Sequence, residues 1–279
     1  MSLLSVLAAT VVAATPAQPV EIRFEGVVGS QPFRCGNSYP GIGSPTATVR
    51  PTDFRFYVTG VSLVDRRGRK VPVMLDQDGL WQYRDVAMID FEDGSGPCRG
   101  GNPGLNLSIK GMVPKGRYTS IAFEIGLPPD LNHGDAATAP VPLGYTSMFW
   151  AWRSGYRFFK IDMETSREGS SGPGKASGFS IHIGSTGCGE GSSTTPPPEP
   201  CKQNNRIPVS FTKFDPTRDV VSVDLAELMK GTDATMNTPG TAPGCMSAQD
   251  DPECRGVFSA FGLPWAGNPA GPNRAFRKN

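Results

Sequence analysis

Residues 20–25 read Val-Glu-Ile-Arg-Phe-Glu, with Val20, Ile22 and Phe24 alternating against Glu21, Arg23 and Glu25. A period of two places the three apolar side chains on one face of an extended chain, which is the signature of a half-buried strand. The alternation returns at Phe54/Phe56/Val58, Val71/Val73/Leu75 and Leu107/Ile109. It recurs across 119–127, with Ile121, Phe123 and Ile125 inward, and at Phe159/Ile161/Met163 against Lys160/Asp162/Glu164. Turn chemistry separates these runs at Asp65-Arg-Arg-Gly68, Asp78-Gly79, Asp93-Gly94 and Pro114-Lys-Gly116. Many strands joined by short polar turns predict an all-β fold, an antiparallel β-sandwich or barrel with long loops.

Composition agrees. The 279 residues include 34 glycines and 27 prolines, too many for a helical bundle because both residues disfavour helix interiors. Hydrophobic residues at 38% are enough to build a core over this length. With 27 basic and 26 acidic side chains, the chain has no global charge to draw it to nucleic acid or an anionic membrane.

The apolar run from Leu3 to Ala14, followed by Thr15-Pro16-Ala17-Gln18, is too short to span a bilayer and suits the core of a signal peptide. Residues 1–19 are therefore read as a signal peptide or its remnant, which predicts a periplasmic or secreted protein. No later segment is long and apolar enough to anchor the chain. Residues 20–279 read as one β-rich domain, with 201–279 a cysteine-stapled extension. Two stretches lack periodicity: the Pro/Ala/Gly-rich segment 128–146, and the Gly/Ser-rich excursions at 169–177 and 187–200. Short helices are expected over Asp224–Lys230, with Asp224 as N-cap and Gly231 as stop, and from about Cys254.

The six cysteines allow 15 connectivities. The economical pairing joins the near neighbours Cys188 with Cys201 and Cys245 with Cys254, which leaves Cys35 with Cys98. Each bridge would stabilise the fold by about 2–4 kcal/mol, and an exported chain favours disulfides over a thiolate metal site. There are only two histidines. His182 follows Ile181 on a strand whose apolar face is Phe179/Ile181/Ile183, so it points to the other face. His133 lies in the long 128–146 loop.

Three tryptophans stand out. Trp150 and Trp152 have strand spacing and read as the wall of a core or pocket, whereas Trp81 follows the turn Asp76-Gln-Asp-Gly79 and is expected half-exposed. That acidic turn lacks the ligand spacing of an EF-hand. The acidic run Asp90-Phe-Glu-Asp93 reads as a strand entering a turn and does not identify a glycosidase. No G-x-S-x-G, phosphate-loop, dinucleotide, H-E-x-x-H or haem-attachment string occurs, so no catalytic site is expected.

Several strings occur together in order: Pro32-Phe-Arg-Cys-Gly36, Asp53-Phe-Arg-Phe-Tyr-Val58, Asp78-Gly-Leu-Trp-Gln82, Ile89-Asp-Phe-Glu-Asp93, Leu131-Asn-His133, Met148-Phe-Trp-Ala-Trp152 with Gly155-Tyr156, His182-Ile-Gly-Ser-Thr-Gly-Cys188 and Gly244-Cys-Met-Ser247. Over about residues 20–279 this set resembles the metallo-mystery pair four-Cys motif family, which includes the MbnP proteins. The resemblance implies a periplasmic copper-binding protein that is no enzyme itself. It also implies a di-haem partner related to MauG and the bacterial cytochrome c peroxidases, which oxidises a tryptophan of this chain to kynurenine.

Indole offers a metal no lone pair, whereas kynurenine carries an aromatic amine that can coordinate beside imidazole. His133 and His182 are then the expected ligands. Oxidation by a docked partner favours a tryptophan near the surface, which ranks Trp81 first and Trp150 and Trp152 behind it. For either of those two to be the modified residue, its strand must lie beside both histidines. The competing class is a secreted module that binds carbohydrate or protein through an aromatic platform of Trp81, Trp150 and Trp152.

Overall fold

The computed structural model describes residues 16–169 and 177–279. The apolar run from Leu3 to Ala14 and residues 170–176 of the second loop lie outside the described residues. The alternating stretch at 20–25 is part of a longer strand, Ala17–Val28. It reaches back to Ala17 because Ala17, Gln18 and Pro19 pair with Pro114, Val113 and Met112 of the antiparallel strand Ser108–Pro114. These residues therefore belong to the folded body.

Two sheets carry the fold. In the six-stranded sheet Ala17–Val28 lies between Ser108–Pro114 and Val220–Asp224, with Phe276–Lys278 and Met74–Leu75 at the ends. The pairing of Arg23–Val27 with Val220–Asp224 is parallel, a departure from the purely antiparallel expectation. A parallel neighbour needs a crossover, and the intervening chain supplies it by passing through the other sheet. That nine-stranded sheet is organised on the long strand Ala47–Asp65, which is flanked by Phe159–Ser166, Tyr118–Ile125 and Val86–Asp90. Gly178–Ile183 and Ile207–Thr212 extend it outward.

The sheets face each other across an aromatic core. Phe24 of the first sheet meets Phe56 and Phe123 of the second edge-on at 6.0 and 5.7 Å, and Phe276 meets Phe56 at 5.8 Å. Such edge-to-face pairs add to the burial of apolar area. The arrangement is an open sandwich and not a closed barrel. The 201–279 segment supplies strands to both sheets, so it is integral to the core.

The local readings hold in most places. Asp224 caps the helix Leu225–Met229 by accepting from the Ala226 amide, and a second helix runs from Cys254 to Phe261. The disulfides are Cys35–Cys98, Cys188–Cys201 and Cys245–Cys254. Two periodic runs differ. Leu107 is exposed at 44%, since only Ile109 of that pair faces the core. Val71/Val73/Leu75 does not form one strand: Lys70–Pro72 pairs with the long strand of one sheet and Met74–Leu75 with the other sheet. The chain crosses between layers there.

Part of the outer face of the nine-stranded sheet is covered. Tyr57, Val86 and Met88 on that face pack against Leu127, Leu143, Met148, Tyr156 and Phe158. The Tyr57 hydroxyl donates to the Pro142 carbonyl at 3.0 Å and the Tyr156 hydroxyl to the Leu143 carbonyl at 2.9 Å. The long aperiodic segment is therefore a cover pinned to the sheet, with a short helix, Pro129–Asn132, that the sequence did not announce.

Candidate metal centre

Several polar side chains that alternate with the core residues are buried on that outer face. The register places His182 opposite Lys160, Lys160 opposite Arg55, and Arg55 opposite Asp90, a charged row across four strands. Lys160 is 9% exposed and Arg55 fully buried. Buried charges must be paired, and these are. Arg55 grips Asp53 with Nε and Nη2 at 2.8 and 2.5 Å, and Lys160 bridges Asp53 and Asp162 at 2.5 and 3.2 Å. At the far end burial, with Glu92 alongside, pushes the Asp90 carboxyl up to about 8.

His182 ends the row. Its Nδ1 lies 3.2 Å from Arg157 Nε, and its Nε2 lies 2.8 Å from Asp162 Oδ1. A guanidinium only donates, so Nδ1 must be the accepting, unprotonated nitrogen and Nε2 carries the hydrogen given to Asp162. Burial holds the imidazole below its usual range, with Asp162 opposing and the cations Arg157 and Lys160 adding to the shift. Burial would raise Asp162, but the hydrogen bond from His182, the charge of Lys160 and the Ser180 hydroxyl overcome it and hold the carboxylate low. His182 is thus a neutral imidazole with a carboxylate behind it and a lone pair in front. A carboxylate in that place orients metal-binding histidines and raises their basicity.

His133 is prepared in a different way. Its Nδ1 lies 2.8 Å from the Trp152 carbonyl, which only accepts, so Nδ1 carries the hydrogen and Nε2 the lone pair. That lone pair faces the Asn132 side-chain amide at 3.1 Å and Cys201 Sγ at 3.5 Å. Asn132 is fixed in turn, since its Oδ1 accepts from the Tyr156 amide at 2.9 Å. His133 also groups with Cys188 and Cys201, but both sulfurs are in a disulfide and offer no thiolate.

The strand Phe149–Ala151 and the turn that begins at Trp152 contact both histidines. The Trp150 ring lies 6.3 Å from the His182 ring, and the Arg157 guanidinium sits over its face at 5.3 Å. Trp150 rests on the backbone of Gly184: a Cβ there would come 2.5 Å from Trp150 Cζ3, closer than any real contact. One side of Trp150 opens on a cavity of about 520 Å³ lined also by Arg153, Thr186, Cys188 and Met246. Trp150 thus lies beside His182, and the Trp152 carbonyl lies on His133.

Trp81 lies elsewhere. It is half-buried as expected, its amide is held by Asp78, and its ring packs on Tyr145 at 6.1 Å. Among the described residues neither histidine makes a hydrogen bond or ring contact with it. The remaining tryptophan, Trp265, donates to the Ala248 carbonyl at 3.2 Å. Sequence reasoning missed Asp162, Arg157 and Asn132. Asp162 was visible as one of the polar alternates in its strand, but its place beside His182 emerges only from the register.

Comparison with known proteins agrees with this architecture. The MbnP family profile matches residues 17–247. Among solved structures, MbnP from Methylosinus trichosporium superposes with a TM-score of 0.83 at 35% sequence identity, covering 94% of this chain and 98% of that one. No match is found among the curated proteins. The matched span takes in both histidines and all the strands around them, and the chain belongs to the MbnP family.

Proposed function

We propose that this is an exported copper-binding protein whose site is built on His133, His182 and a tryptophan that a di-haem, MauG-like partner converts to kynurenine. The observation that carries the reading is the pair of imidazoles beside the 150–152 segment, His133 tied back to the Trp152 carbonyl and His182 to Asp162. Copper suits imidazole and aromatic-amine donors in either oxidation state, and when bound it would supply a soft Lewis acid that can cycle by one electron. The residues fit such a group: Asp162 holds the His182 tautomer, the Trp152 carbonyl holds that of His133, and Arg157 donates to the His182 lone pair. Arg157 must swing aside for a metal to take that lone pair.

Geometry reverses the ranking of tryptophans made from exposure. The Trp150 ring lies 6.3 Å from that of His182, borders an open cavity and is two residues from Trp152, whose carbonyl holds His133, so we assign the modification to Trp150 in preference to Trp81 or Trp152. The three disulfides support an oxidising compartment, in keeping with export to the periplasm. The test is a Cu(I) titration of the protein and of His133→Ala and His182→Ala. Stoichiometric binding lost in each variant supports the site, and binding retained in both removes it. Retained aromatic-dependent binding of an oligosaccharide or peptide with no copper binding would favour the platform reading instead.

A further inference from the structure

The segment Gly244–Ser247 is docked against the strand that carries His182. Cys245 bridges Ile181 in parallel, the His182 amide donates to the Cys245 carbonyl at 2.9 Å, and the Ser247 hydroxyl donates to the His182 carbonyl at 2.8 Å. The approach is so close that a Cβ at Gly244, whose φ is +74°, would lie 2.3 Å from the Ser180 carbonyl oxygen. Cys245 and Ile181 both point into the core. In an extended segment the next residue faces the opposite way, as His182 does beside Ile181. That residue is Met246.

Met246 is half-buried and lines the cavity that Trp150 borders, and the Trp150 ring is in turn 6.3 Å from that of His182. Its backbone is held from both directions, by the Cys245–Cys254 disulfide and by its own amide donating to Asp251 at 3.4 Å. The cysteines in reach, Cys188, Cys201 and Cys245, are all in disulfides, so the Met246 thioether is the soft donor this cavity offers. A thioether binds Cu(I) well and binds Cu(II) and Zn(II) poorly, so its presence selects oxidation state as well as element.

We propose that Met246 is a thioether ligand to copper at this site and makes it selective for Cu(I). The proposal rests on the copper reading above and deepens it. Three flexible bonds let the sulfur reach across the cavity toward the His182 side of Trp150 while the backbone stays fixed.

The test uses the full exported chain purified from cells containing its di-haem partner, beside Met246→Leu made in the same way. Leucine keeps the apolar volume, and circular dichroism and thermal unfolding establish that the variant folds. Competition against a chromophoric chelator reads Cu(I) and Cu(II) affinities, and X-ray absorption on the Cu(I) protein reads the ligand atoms directly. The expected result is a sulfur scatterer in the parent, absent from Met246→Leu. With it goes a roughly tenfold or greater loss of Cu(I) affinity and a Cu(II) affinity changed less than about threefold. Equal Cu(I) affinity in the two proteins, no sulfur scatterer in the parent, or one that persists in the variant overturns the ligand role of Met246 alone. A parent that binds no Cu(I) overturns the copper reading and this proposal with it. The absorption measurement on the parent decides the question even if the variant does not fold.

Discussion

Asp162 Oδ1 accepts the Nε2 hydrogen of His182 at 2.8 Å, and Lys160 and Ser180 hold the same carboxylate at 3.2 and 2.6 Å. The bond fixes the imidazole with its lone pair on Nδ1, toward Arg157 and Trp150.

Replacing Asp162 with Asn keeps the size and removes the charge that makes His182 the stronger base. Cu(I) affinity should fall about 10–100-fold while the fold is retained, as measured by chelator competition. An unchanged affinity would mean that His182 does not bind metal through Nδ1.

Arg157 competes for the same lone pair. Arg157→Gln removes a cation that burial has already weakened and that lies over Trp150, so Cu(I) binding should tighten, by about threefold or more. Weaker binding in this variant would show that Arg157 is needed to hold the site open rather than to close it.

The pH dependence of stability has two opposed parts. The folded His182 imidazole is held below its ordinary value of 6.5, so its contribution is full above about that pH and is lost as pH falls below it. Asp162, also depressed, behaves likewise at more acid pH, with its contribution lost below its ordinary value of 3.8. Asp90 runs the other way: raised from 3.8 to about 8, it contributes fully below 3.8 and that contribution is lost as pH rises to 8. Thermal unfolding from pH 5 to pH 9 should therefore show Asp90→Asn gaining on the parent as pH rises. His182→Gln should close its deficit as pH falls from about 7 to 5. Parallel curves would contradict the burial of these groups.

Gly184 permits the Trp150 ring to lie on the backbone, and a methyl there meets both Trp150 and the Tyr156 carbonyl. Gly184→Ala should cost about 1–3 kcal/mol and shift the Trp150 fluorescence, and it should weaken copper binding through displacement of the ring. A variant with parent-like stability and emission would place Trp150 elsewhere.

Much of the sandwich was legible because burial on one face leaves a period of two, as at Ile22/Phe24 and Phe54/Phe56. The parallel pair of Arg23–Val27 with Val220–Asp224 was not, since strand neighbours far apart in sequence leave no local mark. The histidines could be singled out by scarcity and His182 by its place opposite the Phe179/Ile181 face. Their surroundings could not. The outer face of the sheet looks solvent-exposed in sequence because Lys160, Asp162 and Arg55 alternate with core residues. In the folded chain Arg55 and Lys160 are buried, and Asp162 is half-buried beside them. Exposure likewise favoured Trp81, whereas proximity to the His182 ring, which depends on how the chain folds back, favours Trp150.

The most direct test is peptide mapping by mass spectrometry of the protein purified from cells that also contain the proposed di-haem partner. Opening the indole to kynurenine removes one carbon and adds one oxygen, a gain of about 4 Da. The account predicts that gain on Trp150, dependent on the partner and accompanied by Cu(I) binding. An unmodified Trp150, whether the whole chain is unchanged or the gain falls on Trp81, would contradict it.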